Sequence, residues 1–391
     1  MNDPFKKYRK QFRSWKNKKR LDAEGSLYHR TFMDRGLRIP DESKIQKTLQ
    51  SKFPNIAPKS KGDLNILAIY HHYNWEDTAL KPALEKFGRV RVYDWASEFN
   101  HQIPGWHEER KQAMNQDLIR KMEIWNREEH FDVIFTYLSG EIVSPETVAS
   151  MRRFGAPMVN LALNDKELFV GKVRKGLSMG ARDICRFYDI CWTSTEDSLK
   201  KYCVEGALPI YLPEGANPEM HRPYEAEKIF DVSFVGQYYG NRPAIIKELK
   251  QRGIRVEAFG FGWPNGPLSL EDMVKLYSRS KINLGFGGVI GHKDTYCLKG
   301  RDFEIPMSGG LYLTEDHPEL RRFFKPDKEI VTYTNVDDLV EKIRYLLSNP
   351  EKAEEIRKAG YERARNEHSW ELRFEKIFQL MNLITPSPHF S

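Results

Sequence analysis

No apolar stretch in this chain approaches the ~20 consecutive residues that a membrane-spanning helix requires; the apolar runs are strand-length and interrupted. Cysteine is scarce, and Cys185, Cys191, Cys203 and Cys297 form no CxxC pair and no Cys/His pattern at zinc spacing. That sets aside a disulfide framework and a metal site and leaves small buried hydrophobes in a reducing compartment. The first residues are charged and lack the apolar core of a signal peptide, so the expectation is a cytoplasmic protein, docked at most at the inner membrane face. No short repeat and no complete GxGxxG fingerprint occurs.

What is present is a globular composition, 40% hydrophobic and 30% charged, on a chain of 391 residues, too long for one ordinary core. Two domains are expected. The net charge of +7 is uneven. Residues 1–20 hold Lys6, Lys7, Arg9, Lys10, Arg13, Lys16, Lys18, Lys19 and Arg20 against Asp3 alone, so the remainder is close to neutral. Phe5, Tyr8, Phe12 and Trp15 recur at helical spacing within that segment. Such a face suits an anionic membrane surface or nucleic acid phosphates, or packing on the chain's own domain.

Residues 21–62 are polar and weakly patterned, punctuated by Pro40, Pro54 and Pro58. From residue 63 strands alternate with helices. Apolar runs at 64–70, 90–93, 132–137, 157–162 and 189–193 read as buried strands, with helices at 108–129, 145–154, 166–186 and 195–204. A Pro-rich polar stretch at 209–223 reads as an interdomain linker. A second alternating series has strands at 231–236, 256–260, 282–286, 310–314 and 329–333. Its helices fall at 240–252, 269–278, 299–308, 335–347 and 350–365, followed by a last one at 370–383. This rhythm predicts an α/β fold of two Rossmann-like, doubly wound domains facing a cleft. The expected division is a basic amino-terminal arm and extension (1–62), a first Rossmann-like domain (63–215), a second (216–369) and a carboxyl-terminal helix crossing back (370–391).

Ligands in such sheets sit beyond the carboxyl ends of the strands. At that edge of the second series, Gly236 permits close backbone approach, and Arg242 opens the next helix. The aromatic loop Phe259-Gly260-Phe261-Gly262-Trp263 offers a wall for a nucleobase. The loop 285–295, with Gly287 and Gly288, offers backbone amides to a sugar and its phosphates. It feeds Lys299-Gly300-Arg301-Asp302-Phe303-Glu304, which places two cations at a helix N-terminus, a site for a pyrophosphate. Glu304, one turn on, is a carboxylate able to accept from the paired hydroxyls of a ribose. At the corresponding edge of the first series lie His71, His72, Glu141 and Asp165, one of which is expected to be the general base for an acceptor hydroxyl.

The segment from about 231 to 380 resembles the carboxyl-terminal half of GT-B glycosyltransferases of the "glycosyl transferases group 1" superfamily, most closely its spore-maturation-protein-like branch. The motifs carrying this, in order, are Asp231-Val-Ser-Phe-Val-Gly236, the strand 280–283, Lys299 through Gly310, Glu329-Ile330-Val331, and the tail from Ala359 to His368. The resemblance implies metal-independent transfer of a sugar from a nucleotide diphosphate sugar, with no other cofactor. It implies that Glu304 binds the ribose and that Arg242, Lys299 and Arg301 neutralise the diphosphate. Many retaining members carry a second Glu eight positions before the ribose-binding one; here that position is Tyr296, so the stereochemical outcome is not implied. The acceptor is left open among a glycan, a lipid-linked glycan, a polyanion such as teichoic acid, and DNA carrying a hydroxylated base. A non-catalytic nucleotide- or glycan-binding protein is the other alternative.

Overall fold

The structure, a computed structural model, describes residues 6–289, 291–292 and 294–385. Phe5, Lys293 and residues 386–391 lie outside that set. Contacts divide the chain into two compact units, one of residues 22–213 with 370–385 and one of residues 6–21 with 214–369.

The amino-terminal unit is built on β1 (Leu64–Tyr70), β2 (Gly88–Asp94), β3 (Val133–Thr136) and β4 (Met158–Ala162), a short antiparallel hairpin β5 (Val173–Arg174) and β6 (Leu177–Ser178), then β7 (Ile190–Thr193) and β8 (Pro209–Tyr211). All but the hairpin form one parallel sheet in the order β2-β1-β3-β4-β7-β8. Every residue of β1 is buried, as a central parallel strand covered on both faces demands. Ile66, Ala68 and Tyr70 enter the core on one face, Leu67 and Ile69 that on the other, following the two-residue period of a strand. The first face is covered by the helix Trp370–Leu380, whose Phe374 meets Phe135 and Trp192 edge-on at 5.1 and 5.5 Å.

Several segments differ from the sequence reading, among them the helix Glu76–Glu85, which that reading does not contain. Residues 166–186 contain no long helix. The glycines at 171, 176 and 180 disfavour one, and Lys175 and Gly176, both at positive φ, turn the β5–β6 hairpin instead. The expected linker begins as β8, paired with β7 at the sheet edge. The weakly patterned stretch 21–62 supplies the second half of the 29-residue helix Lys6–Asp34 and all of the helix Glu42–Lys52. In the first of these, Tyr28 and Phe32 are buried and the Tyr28 hydroxyl donates to Glu205 at 2.6 Å.

The carboxyl-terminal unit has a parallel sheet of β9 (Phe230–Val235), β10 (Val256–Phe259), β11 (Ser280–Leu284), β12 (Tyr312–Glu315) and β13 (Val331–Tyr333), in the order β10-β9-β11-β12-β13. Crossover helices Arg242–Gln251, Leu270–Arg279 and Arg301–Met307 connect β9 to β10, β10 to β11 and β11 to β12, and the helix Val336–Ser348 follows β13. Ser269 and Asn335 cap two of them by accepting from the amides of Asp272 and Asp338, the side-chain caps that start such helices. Both units are therefore Rossmann-like. Among the described residues no helix is long and apolar enough to cross a membrane.

Candidate functional site

In the carboxyl-terminal unit the chemistry-bearing residues gather where β9, β11 and β12 end. Gly236 follows β9, and a Cβ there would lie 3.2 Å from one terminal guanidinium nitrogen of Arg301 and 3.3 Å from one of Arg242. Both cations thus converge on the opening that glycine leaves. Arg242, the first residue of its helix, is buried. It donates to the Gln237 carbonyl at 3.2 Å and lies 4.0 Å from the Tyr239 ring centre. Burial, then the neighbouring charge of Arg301, pushes its pKa down to about 10. Arg301 donates to the Phe286 carbonyl at 3.4 Å. Among the described residues neither guanidinium has an ion-pair partner within 4 Å. Two partly desolvated cations held side by side without a counter-ion form a receptor for an anion.

The nearby acids are engaged elsewhere. Asp302 is buried, accepting from the Tyr312 hydroxyl at 2.6 Å and from the Lys299 amide at 2.6 Å. The helix that starts here is seven residues long, and in its first turn the Asp302 and Phe303 amides donate to the Lys299 and Gly300 carbonyls, each at 2.9 Å. Glu315, at the end of β12, accepts from the amides of Gly287 and Gly288 at 2.8 and 3.1 Å. Those two glycines lie in the loop where the sequence places them, but their amides hold this carboxylate and are not open to a phosphate. Burial raises the pKa of Glu315, and the two amides oppose that shift.

Glu304 curls back over the start of its helix, its Oε1 2.8 Å from where a Cβ on Gly300 would sit. Glu214 approaches the same point, with Oε2 at 3.3 Å. Burial raises the pKa of Glu214 to about 8, Lys299 opposing the shift and Glu304 adding to it. His221 is also buried. Its Nδ1 accepts from the Asn217 amide at 3.2 Å, which assigns the proton to Nε2. That Nε2 has no hydrogen-bond partner and lies 3.9 Å from Glu304 Oε1. Glu214, His221 and Glu315 escaped the sequence reading; the first two stood in the stretch taken for a linker. On the aromatic side, Trp263 donates to the Gly236 carbonyl at 2.8 Å and meets Tyr238 edge-on at 4.7 Å. The rings of Tyr238 and Phe261 are exposed, a surface on which a base could stack.

In the amino-terminal unit the four base candidates have different environments. Register pairs Tyr70 with Asp94 across β1 and β2, so His71 comes to lie beside that carboxylate, its Nδ1 2.8 Å from Asp94 Oδ1. With Nδ1–H donating to Asp94, Nε2 is left with its lone pair, the arrangement of an oriented general base. His72 Nδ1 instead accepts from the Asp77 amide at 3.3 Å, at the start of the helix Glu76–Glu85. Glu141 Oε1 lies 2.9 Å from His107 Nε2. Asp165 is 3% exposed beneath Tyr202, whose hydroxyl donates to it at 2.9 Å, and burial raises its pKa to about 7. A carboxylate so enclosed does not meet an acceptor hydroxyl, and its geometry is that of a core hydrogen-bond acceptor.

Residues 242–379 match the family model described as glycosyl transferase-like. Among solved structures, sucrose-phosphate synthase from Thermosynechococcus elongatus aligns with a TM-score of 0.57 at 10% identity, over 81% of this chain and 98% of its own. A glycosyltransferase from Rickettsia africae aligns with a TM-score of 0.57 at 11% identity, over 83% and 98%. Anabaena HepE, solved in complex with UDP-glucose, gives a TM-score of 0.53 at 11% identity, over 82% and 100%. No curated protein matches the sequence. At these identities the likeness establishes the fold, GT-B, and the family match is confined to residues 242–379.

Proposed function

We propose that this chain, a GT-B fold whose residues 242–379 form a glycosyl transferase-like domain, transfers a sugar from a nucleoside diphosphate sugar to an acceptor hydroxyl. The observation that carries this is the convergence of Arg242 and Arg301 on Gly236 without a counter-ion. As the bond between the anomeric carbon and the diphosphate oxygen breaks, its electron pair stays on the phosphate. The two guanidiniums, with Lys299, stabilise that developing charge, so the reading needs no metal. Glu304 accepts from the ribose hydroxyls, with His221 Nε2–H beside it. The base stacks on the exposed Tyr238 and Phe261 side of the site. UDP is the favoured nucleotide, supported by the UDP-glucose complex of the structurally similar HepE.

In the amino-terminal unit, His71 is the group best suited to take the acceptor proton, because Asp94 fixes its tautomer and would stabilise the imidazolium. The acceptor class favoured is a glycan, and the cationic segment 1–20 is the surface for an anionic partner, membrane or nucleic acid. The motif order from Asp231 to His368 supports the finer placement in the spore-maturation-protein-like branch.

A panel of nucleotide sugars, scored by thermal stabilisation and by donor hydrolysis, tests this reading. Ligand binding to the folded state raises its apparent stability, so one donor is expected to stand out, and Glu304→Ala to abolish its effect. Unchanged stabilisation and turnover in Glu304→Ala would sink the assignment.

A further inference from the structure

The helix Lys6–Asp34 differs in character between its two halves. Tyr28 and Phe32 are 8% and 6% exposed, whereas Tyr8, Phe12 and Trp15 are 69%, 64% and 44% exposed. At 100° per residue, positions 8, 12, 15 and 19 fall on one narrow stripe. Phe12 and Trp15 lie 5.8 Å apart between ring centres, and Lys19 Nζ sits 4.0 Å over the Trp15 ring. Arg13, Lys16 and Arg20 are exposed beside the stripe. The aromatic face is therefore not packed on the chain's own core, and three adjacent exposed rings on one helix mark a surface that something covers.

We propose that residues 6–20 dock the protein on an anionic lipid surface, the helix lying in the plane of the headgroups. Charge complementarity and the arrangement of the rings both select this occupant. Cations flanking a central aromatic stripe is the layout of an interfacial helix, in which rings enter the acyl boundary and Lys and Arg stems carry their charges back to the phosphates. A single-stranded nucleic acid stacks its bases on open ring faces. Here Lys19 covers a face of Trp15, and the convex helix offers no groove along which a strand could run. Asn17 donates to the Gly291 carbonyl at 3.0 Å, so the docking helix touches the loop that leads into Lys299 and Arg301. A lipid surface would thus be sensed next to the anion-binding cations.

The test is co-sedimentation of the full-length protein with vesicles of phosphatidylcholine alone and of phosphatidylcholine with about one third phosphatidylglycerol, at low and high salt. Binding to the anionic vesicles is expected to exceed binding to the neutral ones at least ~tenfold and to fall with salt. The triple variant Tyr8→Ser/Phe12→Ser/Trp15→Ser is expected to lose at least ~tenfold of that binding. The pair Arg13→Glu/Lys16→Glu is expected to lose it as well. These side chains are exposed, so the melting temperatures of both variants should match wild type, which separates lost docking from lost folding. Three results would overturn the proposal: no preference for anionic vesicles, full binding by the triple variant, or retention on single-stranded DNA alone that ignores the aromatic substitutions. None of them depends on the transferase reading.

Discussion

Replacing Arg242 by Met should uncouple ligand binding from stability. This guanidinium is buried beside that of Arg301, which pushes its pKa down to about 10. That drop corresponds to roughly 3 kcal/mol at most of unfavourable environment for the charged form. Against it stands the hydrogen bond that the charged guanidinium donates to the Gln237 carbonyl, worth about 1.5–3 kcal/mol. The two sides nearly cancel. Met keeps much of the stem volume, so Arg242→Met is expected to alter unfolding stability by no more than ~1 kcal/mol. Ligand binding enjoys no such cancellation. A charge-assisted hydrogen bond to a phosphate contributes about 1.5–3 kcal/mol, so the Kd for UDP should rise roughly 10- to 150-fold. Calorimetric titration with UDP, with uridine as the control lacking the diphosphate, reads this directly, and urea unfolding reads the stability. A loss of UDP affinity smaller than about threefold, or an equal loss for uridine, would refute the idea that Arg242 faces the diphosphate.

Glu214 should make donor binding pH-dependent: its pKa is raised to about 8 by burial, so it is largely neutral at pH 7 and becomes anionic beside Glu304 as pH rises. UDP affinity is expected to fall between pH 7 and 9, by at most about tenfold per pH unit, and to stay flat in Glu214→Gln; an identical slope in the variant would contradict this. His71→Ala should lower kcat about 10²- to 10⁴-fold while leaving the UDP Kd unchanged, and Asp94→Asn should do so less severely through the wrong imidazole tautomer. If Glu141→Gln rather than His71→Ala removes activity, the base has been misassigned. Asp165 keeps its proton to about pH 7 in the folded state but loses it near pH 4 when unfolded. The unfolded state therefore sheds protons first, and stability falls as pH rises through that window. Asp165→Asn removes this term, so its melting temperature should gain on wild type between pH 4 and pH 7; a constant difference would argue against a buried neutral acid.

How much of this fold could be read in the residues depended on how the strands are buried. β1, with all seven residues buried, appears in sequence as an uninterrupted apolar run, and β9, β11 and β12 read almost as clearly. The helix Glu76–Glu85 carries a proline at position 82 and the N-terminal acids Glu76 and Asp77. β8 is hidden because a three-residue strand that begins at Pro209 and is soon followed by Pro213 has the composition of a linker. Residues 166–186 were misread because Lys166, Glu167 and Leu168 begin a helix that the glycines at 171, 176 and 180 do not continue. Local pattern reports such stretches poorly, since contacts with β7 or with the opposite arm of a hairpin decide them.

The same division runs through the site. Residues that follow a strand were placed correctly at its carboxyl end by topology alone, as with Gly236 after β9 and His71 after β1. Their partners were not legible, because Asp94 and His221 reach His71 and Glu304 from 23 and 83 positions away. What the structure adds is the distribution of charge among those partners. Asp302 is satisfied by Tyr312 and a backbone amide, and Glu315 by two glycine amides. Neither carboxylate forms a hydrogen bond or close ion pair with Arg242 or Arg301, although Asp302 is adjacent in sequence to Arg301. The acids moderate the field of the cations without occupying their donors. An incoming diphosphate therefore need not break a salt bridge to bind, and the nitrogens converging on Gly236 are already oriented toward it. Preorganisation of that kind favours the charge that develops on a leaving phosphate over a neutral ligand of similar shape. It is also why Arg242→Met should weaken UDP far more than uridine.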